Sequence, residues 1–295
     1  MKALFFPGCL IPIKYPQMEL ALRRTLPALG IEIADHAGFS CCPDPIYFQS
    51  SDRFAWLTLA ARNLALVEAT GLEAFTVCSG CTGTLREANH LLQEDGALRE
   101  RVNQRLARIG LHYQGTARVR HIVTLIRDEL GIARIAASVT RPLRGARVAL
   151  HYGCHLLKPS PIMQVDDPDD PQILHALVSA LGAEPVAHDE RFLCCGKACI
   201  DDELPLDMTA TVLRSVKATG ADCMGMICPT CFSSFDTGQL MIERQRKEKL
   251  GVPPVYYFQL LGLAQGLSPQ EVGLTRHKIK PVALLAKLDV PTATP

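Results

Sequence analysis

One arrangement of cysteines occurs twice in this chain: a single cysteine, then an adjacent pair, then a C-x-x-C motif. The first copy is Cys9, Cys41–Cys42 and Cys78/Cys81, and the second is Cys154, Cys194–Cys195 and Cys228/Cys231. Intervals of 31 and 35 residues separate the three parts of the first copy, and 39 and 32 those of the second. A repeat of this length points to a duplicated structural unit rather than to scattered core thiols.

The flanking sequence repeats with the cysteines. Lys2–Phe6 (KALFF) runs into P-G-C at Cys9, and Arg147–His151 (RVALH) runs into Y-G-C at Cys154, each a short β-rich segment ending in a Gly-Cys turn. Amphipathic stretches follow at Met18–Leu29 and Ile173–Leu181, closed by Gly30 and Gly182 as helix ends are. Short strands at Glu32–Ala34 and Glu184–Ala187 precede the cysteine pairs. Helices at Ser51–Thr70 and Leu204–Thr219 come after them, ended by Gly71 and Gly220. Apolar strands at Ala74–Val77 and Met224–Ile227 lead into the C-x-x-C motifs, each of which opens a further helix. Strands alternating with helices imply parallel sheets joined by right-handed crossovers. The expected fold is therefore α/β, with two pseudo-symmetric parallel-sheet, Rossmann-like halves. In such sheets the loops at the carboxyl ends of the strands share one edge, so the five cysteines of each half converge despite their separation in sequence. The expected units are 1–140 and 141–272, followed by a tail, 273–295, with Lys278, Lys280 and Lys287, read as an arm that docks a partner protein of a complex.

Bulk composition narrows the chemistry. A net charge of +1 and 6% aromatic residues supply neither a basic stripe nor a stacking platform for nucleic acid. No apolar run approaches the roughly 20 residues of a membrane-spanning helix. The N-terminal apolar run is broken by Pro7, Pro12, Pro16 and Lys14 and is read as strand and loop rather than as a signal peptide, which places the chain in the cytoplasm. In that reducing compartment clustered thiols point to metal or redox chemistry rather than to disulfides.

Four thiolates suit zinc or an iron–sulfur cluster. Five donors per half exceed what tetrahedral zinc takes, and adjacent cysteines diverge in a way that suits two metal atoms of a polynuclear centre. The ferredoxin run C-x₂-C-x₂-C-x₃-C is absent.

From Lys2 to about Gly273 the chain resembles the B subunit of heterodisulfide reductase, a family of tandem CCG cysteine-rich domains. FFPGCLIPIKYP (Phe5–Pro16), WLTLAARNL (Trp56–Leu64), HYGCHLLKP (His151–Pro159), ICPTCFSSFDTGQ (Ile227–Gln239) and QLLGLAQGL (Gln259–Leu267) carry the likeness with the cysteines. The resemblance implies two non-cubane 4Fe–4S clusters. One is held by Cys9, Cys41, Cys42, Cys78 and Cys81, the other by Cys154, Cys194, Cys195, Cys228 and Cys231. The clusters would face each other across a cavity in which a disulfide is reduced, each sulfur captured by an iron. It also implies electrons exchanged with a ferredoxin-like C subunit and a flavin-containing A subunit, for the chain has no G-x-G-x-x-G fingerprint of its own. The second pair continues C-C-G-K-A-C-I-D-D where methanogen enzymes are glycine-rich, so Lys197, Cys199, Asp201 and Asp202 are expected to crowd one cavity wall. The first pair adds a carboxylate at Asp44. These departures leave open a sulfur-oxidising branch of the family acting on sulfur carried by a lipoate-binding protein.

Further residues carry expectations of their own. His155, beside Cys154, is a candidate proton donor. Lys158 and Lys197 are candidate partners for cluster charge or an anionic substrate. Cys199 reads as a sixth thiolate, a substrate-reactive thiol or a small buried hydrophobe. Cys223 and His36, His90, His112, His121, His175, His188 and His277 are read as structural. A non-catalytic electron-transfer role and a zinc-stabilised scaffold are the competing functions.

Overall fold

The computed structural model describes residues 1–290. It contains two four-stranded parallel sheets with the same strand order. The first joins β1 (Lys2–Phe6), β2 (Glu32–Ala34), β3 (Ala74–Thr76) and β4 (Val119–His121) in the order β2-β1-β3-β4. The second joins β5 (Arg147–Leu150), β6 (Glu184–Val186), β7 (Cys223–Met226) and β8 (Pro254–Tyr256) in the order β6-β5-β7-β8. The inner strands β3 and β7 are buried throughout, as expected where helices cover both faces of a parallel sheet. The edge strands β2 and β6 are half exposed.

In the first sheet Phe5 lies opposite Phe75, and their rings stack at 5.3 Å. From β1 the chain crosses to β2 on one side and then returns to β3 on the other. A crevice therefore opens beyond the carboxyl ends of β1 and β3, where the connections diverge. The second sheet does the same at β5 and β7.

The expected helices are present with small shifts at their ends. Met18–Leu29 is an α-helix over Pro16–Thr25 followed by a 3₁₀ turn over Leu26–Leu29. The helix expected from Ser51 is Arg53–Thr70, because Asp52 caps it by accepting from the Ala55 amide at 2.9 Å. Strands β4 and β8 are additions to the sequence reading. Each is three residues long and carries no cysteine, so neither hydrophobic period nor motif announced it.

The halves exchange helices. The Ile132–Ala137 helix, which follows β4, packs on the Ile173–Ala180 helix of the second half. The Tyr257–Ala264 helix, which follows β8, packs on the Pro16–Thr25 helix of the first. The exchange is tied where the Thr140 and Arg141 amides donate to the Ala264 carbonyl at 2.9 and 2.8 Å. The segment expected as a separate tail is instead packed against the second half. The Asp236 carboxylate accepts from the Lys278 and Ile279 amides at 2.9 Å, Lys287 pairs with Asp222 at 2.8 Å, and Leu284, Leu285 and Val290 are buried. The end of that expected tail, 291–295, lies outside the described residues.

Candidate metal centres

Each half builds its site from three loops. The first is the turn after β1 or β5, where Gly8 (φ +66°) and Gly153 (φ +70°) adopt the left-handed conformation that glycine enters without strain. A Cβ on Gly8 would lie 2.8 Å from Cys81 Sγ, and one on Gly153 would lie 3.3 Å from Cys231 Sγ. Both glycines thus let the second thiol of each C-x-x-C pass close to the backbone just before Cys9 or Cys154.

The C-x-x-C loops leave β3 and β7 and begin helices, with Cys78 and Cys228 at the cap positions. Thr76 Oγ1 braces the first by donating to the Cys78 carbonyl at 3.0 Å. The cysteine pairs are pinned by the helices that follow them. Asn63 Nδ2 donates to the Cys41 carbonyl at 3.0 Å, and Thr209 Oγ1 donates to the Cys195 carbonyl at 2.8 Å.

All twelve cysteines are unbridged, and the ten repeated ones line a single cavity of about 320 Å³ between the halves. Their thiols form one succession. In the first half each thiol shifts the ionisation of the next in the order Cys9, Cys41, Cys42, Cys81, Cys78, and the Cys9 and Cys41 sulfurs lie 3.7 Å apart. In the second it runs Cys154, Cys194, Cys195, Cys231, Cys228, opening with a 4.0 Å separation. The two series meet at Cys78 and Cys228, whose thiols act on one another's ionisation.

Such crowding governs ionisation. Thiol neighbours that remain protonated pull Cys42, Cys194 and Cys228 below the ordinary thiol range, while bonding to those thiolates, together with burial, pushes Cys81, Cys78, Cys154, Cys195 and Cys231 up. Ten thiolates cannot coexist here without cations between them, the condition a metal centre meets. Among the described residues no group of three or more His, Cys, Asp or Glu side chains closes around a single-ion site. The donors form a string along the cavity wall rather than a shell, a layout suited to a multi-atom centre.

The structure brings two of the four expected functional side chains into the lining, His155 and Lys197. His155 Nδ1 lies 3.7 Å from where a Cβ on Gly83 would sit, so it reaches from the second half to the first. Lys158 is exposed and outside the lining. Cys199 also lies outside it, with its sulfur 3.7 Å from Met208 Sδ. Asp201 does not crowd the wall as expected, because it turns away to cap the Glu203 and Leu204 amides at 2.8 and 2.7 Å. Asp44 lines the cavity with its carboxylate spent in the same manner, on the Ile46 and Tyr47 amides. Cys223 is fully buried in β7.

Two side chains near the thiols, Tyr256 and His151, were not singled out in the sequence, and a third, His121, was read there as structural. Tyr256, at the end of β8, sends its hydroxyl between the Val77 carbonyl of the first half and the Ile227 carbonyl of the second, one residue before Cys78 and Cys228. His121, its counterpart at the end of β4, is fully buried with Nε2 lacking a partner. His151, just beyond β5, is buried with neither ring nitrogen partnered. His151 stands three residues before Cys154, which was the available signal, whereas Tyr256 and His121 end strands that the sequence did not announce.

Two parallel-sheet lobes that pool ten thiols at facing strand ends define a tandem cysteine-rich protein of the metal- and redox-active class. The chain matches the Cysteine-rich domain family, CCG, over residues 3–86 and 148–236. It is 38% identical, over 97% of both chains, to a protein of Methanosarcina acetivorans named as the B subunit of the ferredoxin/F(420)H(2)-dependent CoB-CoM heterodisulfide reductase. It belongs to the family of heterodisulfide reductase B subunits. A further relative, 31% identical over 93% of this chain and 96% of its own, is the 8-methylmenaquinol:fumarate reductase membrane anchor subunit of Wolinella succinogenes. Among the described residues no helix is long and apolar enough to cross a membrane. The fold is shared with a hypothetical protein from Helicobacter pylori (TM-score 0.77, 16% identity). That match covers 95% of this chain, which spans about half the length of the Helicobacter chain, 52%.

Proposed function

We propose that this chain is the thiol–disulfide component of a heterodisulfide-reductase-type complex in the cytoplasm, holding two 4Fe–4S clusters of the non-cubane kind, five cysteines to each. The observation that carries the reading is the division of ten unbridged thiols, five and five, between the two walls of one cavity. Bound clusters would supply the two electrons of R–S–S–R′ + 2e⁻ + 2H⁺ → RSH + R′SH.

The protein's own residues do the rest. The cysteines hold and separate the two centres. Pro45, Ile46, Tyr152 and Ala198 make the remaining wall mostly apolar, which excludes water from the disulfide. The His155 imidazole, on the lining with its Nδ1 towards Gly83, is placed to donate to a departing thiolate sulfur. Lys197 is the lysine of the lining and binds an anionic arm of the substrate. Electrons come from, or go to, a ferredoxin-like C subunit and a flavin-containing A subunit. The substrate is a small heterodisulfide, or sulfur on a lipoate-binding protein. Residues 1–140 and 141–272 are proposed as the two cluster-binding units.

The Wolinella relative favours a second reading, in which the chain only relays electrons within a complex of another activity. The two separate on anaerobic protein with intact clusters. Adding a disulfide or thiol changes the paramagnetic signals of the oxidised clusters if substrate binds between them. Signals that stay the same across a range of disulfides and thiols leave the relay.

A further inference from the structure

The two sites share a cysteine pattern but not their surroundings. Aligning the Gly-Cys turns sets Phe6 of the first half against His151 of the second. Both side chains are buried, at 1% exposure each. Phe6 offers no polar atom. His151 offers two ring nitrogens, and neither has a hydrogen-bond partner among the described residues. Phe235 packs edge-on against the imidazole at 4.8 Å and holds its plane.

The imidazole stands behind the cavity lining, at the Gly153 turn. The position a Cβ would occupy on Gly153 is 3.3 Å from Cys231 Sγ and 3.6 Å from His151 Nε2, so the nitrogen and the sulfur flank one point. A neutral imidazole always carries one N–H, and a fully buried donor without an acceptor is destabilising. Such an orphan beside a metal centre is accounted for when the bound centre supplies the acceptor. Tyr256 does not break the symmetry in this way, since its hydroxyl lies between a carbonyl of each half.

We propose that His151 is a positioning residue that donates its ring N–H to the sulfur of the second cluster, making the second centre the more easily reduced of the two. The inference rests on the two-cluster reading above. Reduction adds negative charge to the sulfur framework, and a hydrogen bond to that sulfur stabilises the reduced form more than the oxidised one. With Phe6 in the equivalent place the first centre lacks this donor. The cavity is thereby polarised, with electrons favoured on the second-half side.

The test is an anaerobic redox titration of the cluster-loaded full chain, followed by electron paramagnetic resonance, with iron measured on every sample. His151→Phe is expected to keep full iron and make one centre harder to reduce. Its reduced-to-oxidised ratio at fixed poise should fall at least tenfold, equivalent to about 59 mV for a one-electron couple. His151→Gln, which restores an N–H, should recover most of that shift, and Phe6→His should make the other centre easier to reduce. The centre that moves in His151→Phe should be the one lost in Cys195→Ser. The proposal is overturned if neither centre moves in His151→Phe or Phe6→His with iron intact, if the centre lost in Cys42→Ser moves instead, or if His151→Gln behaves like His151→Phe. Wild-type protein that carries no iron refutes the two-cluster reading itself, a result distinct from all of these.

Discussion

Gly8 and Gly153 show how single residues set the geometry of a thiol. Each combines a positive φ with a sulfur close to where its Cβ would be. Gly8→Ala therefore meets backbone strain of roughly 1–3 kcal/mol and a clash with Cys81. The expected outcome is a lower unfolding midpoint with about half the iron missing, measured by thermal melting and metal analysis; full iron content in Gly8→Ala would contradict the role given to the close approach. A different residue contributes to pH dependence. His277 is buried, bonded through Nε2 to Gln259 at 2.8 Å, and burial holds it down to about 4 from an ordinary 6.5. Its folded-state value is depressed, so the neutral ring favours folding above pH 6.5 and that contribution is lost as pH falls from 6.5 towards 4. Between those limits the slope is up to about 1.4 kcal/mol per pH unit. Denaturant unfolding of the wild type should weaken over that window, and His277→Leu should flatten the dependence. Equal slopes in the two proteins would remove His277 from the account.

At the scale of elements, the cysteine-bearing loops were legible because each is bracketed by a strong signal. An apolar strand precedes it, a helix follows, and a glycine marks most ends. What escaped was β4 and β8, three residues each, whose strand character comes from pairing with β3 and β7 rather than from any local period. His121 and Tyr256 stand at their ends, so missing the strands meant missing the side chains at the junction of the two sites. The helix exchange was also hidden, because it depends on which half a helix packs against and not on the helix itself. Tyr256 bridges carbonyls from both halves, and Tyr256→Phe leaves those buried acceptors unsatisfied. A loss of roughly 1–3 kcal/mol in denaturant unfolding is expected, together with a changed spectrum of both centres. A change confined to one centre would argue against a shared bridge.

For the molecule as a whole, duplication followed by facing the copies across one cavity turns two ordinary α/β lobes into a paired site. Repetition of the cysteine order made the two thiol sets readable in advance and the family resemblance implied that they face each other, whereas the difference between them, His151 against Phe6, needed the burial of both side chains to be recognised. Each lobe supplies a complete set of donors and neither supplies the cavity alone. The most direct measurement is metal analysis of anaerobically purified wild type beside Cys42→Ser and Cys195→Ser. The account predicts about eight iron atoms per chain, four per cluster, falling to about half in either variant with the other cluster's signal retained. Stoichiometric zinc without iron in the wild type, or loss of all iron from one substitution, would contradict it.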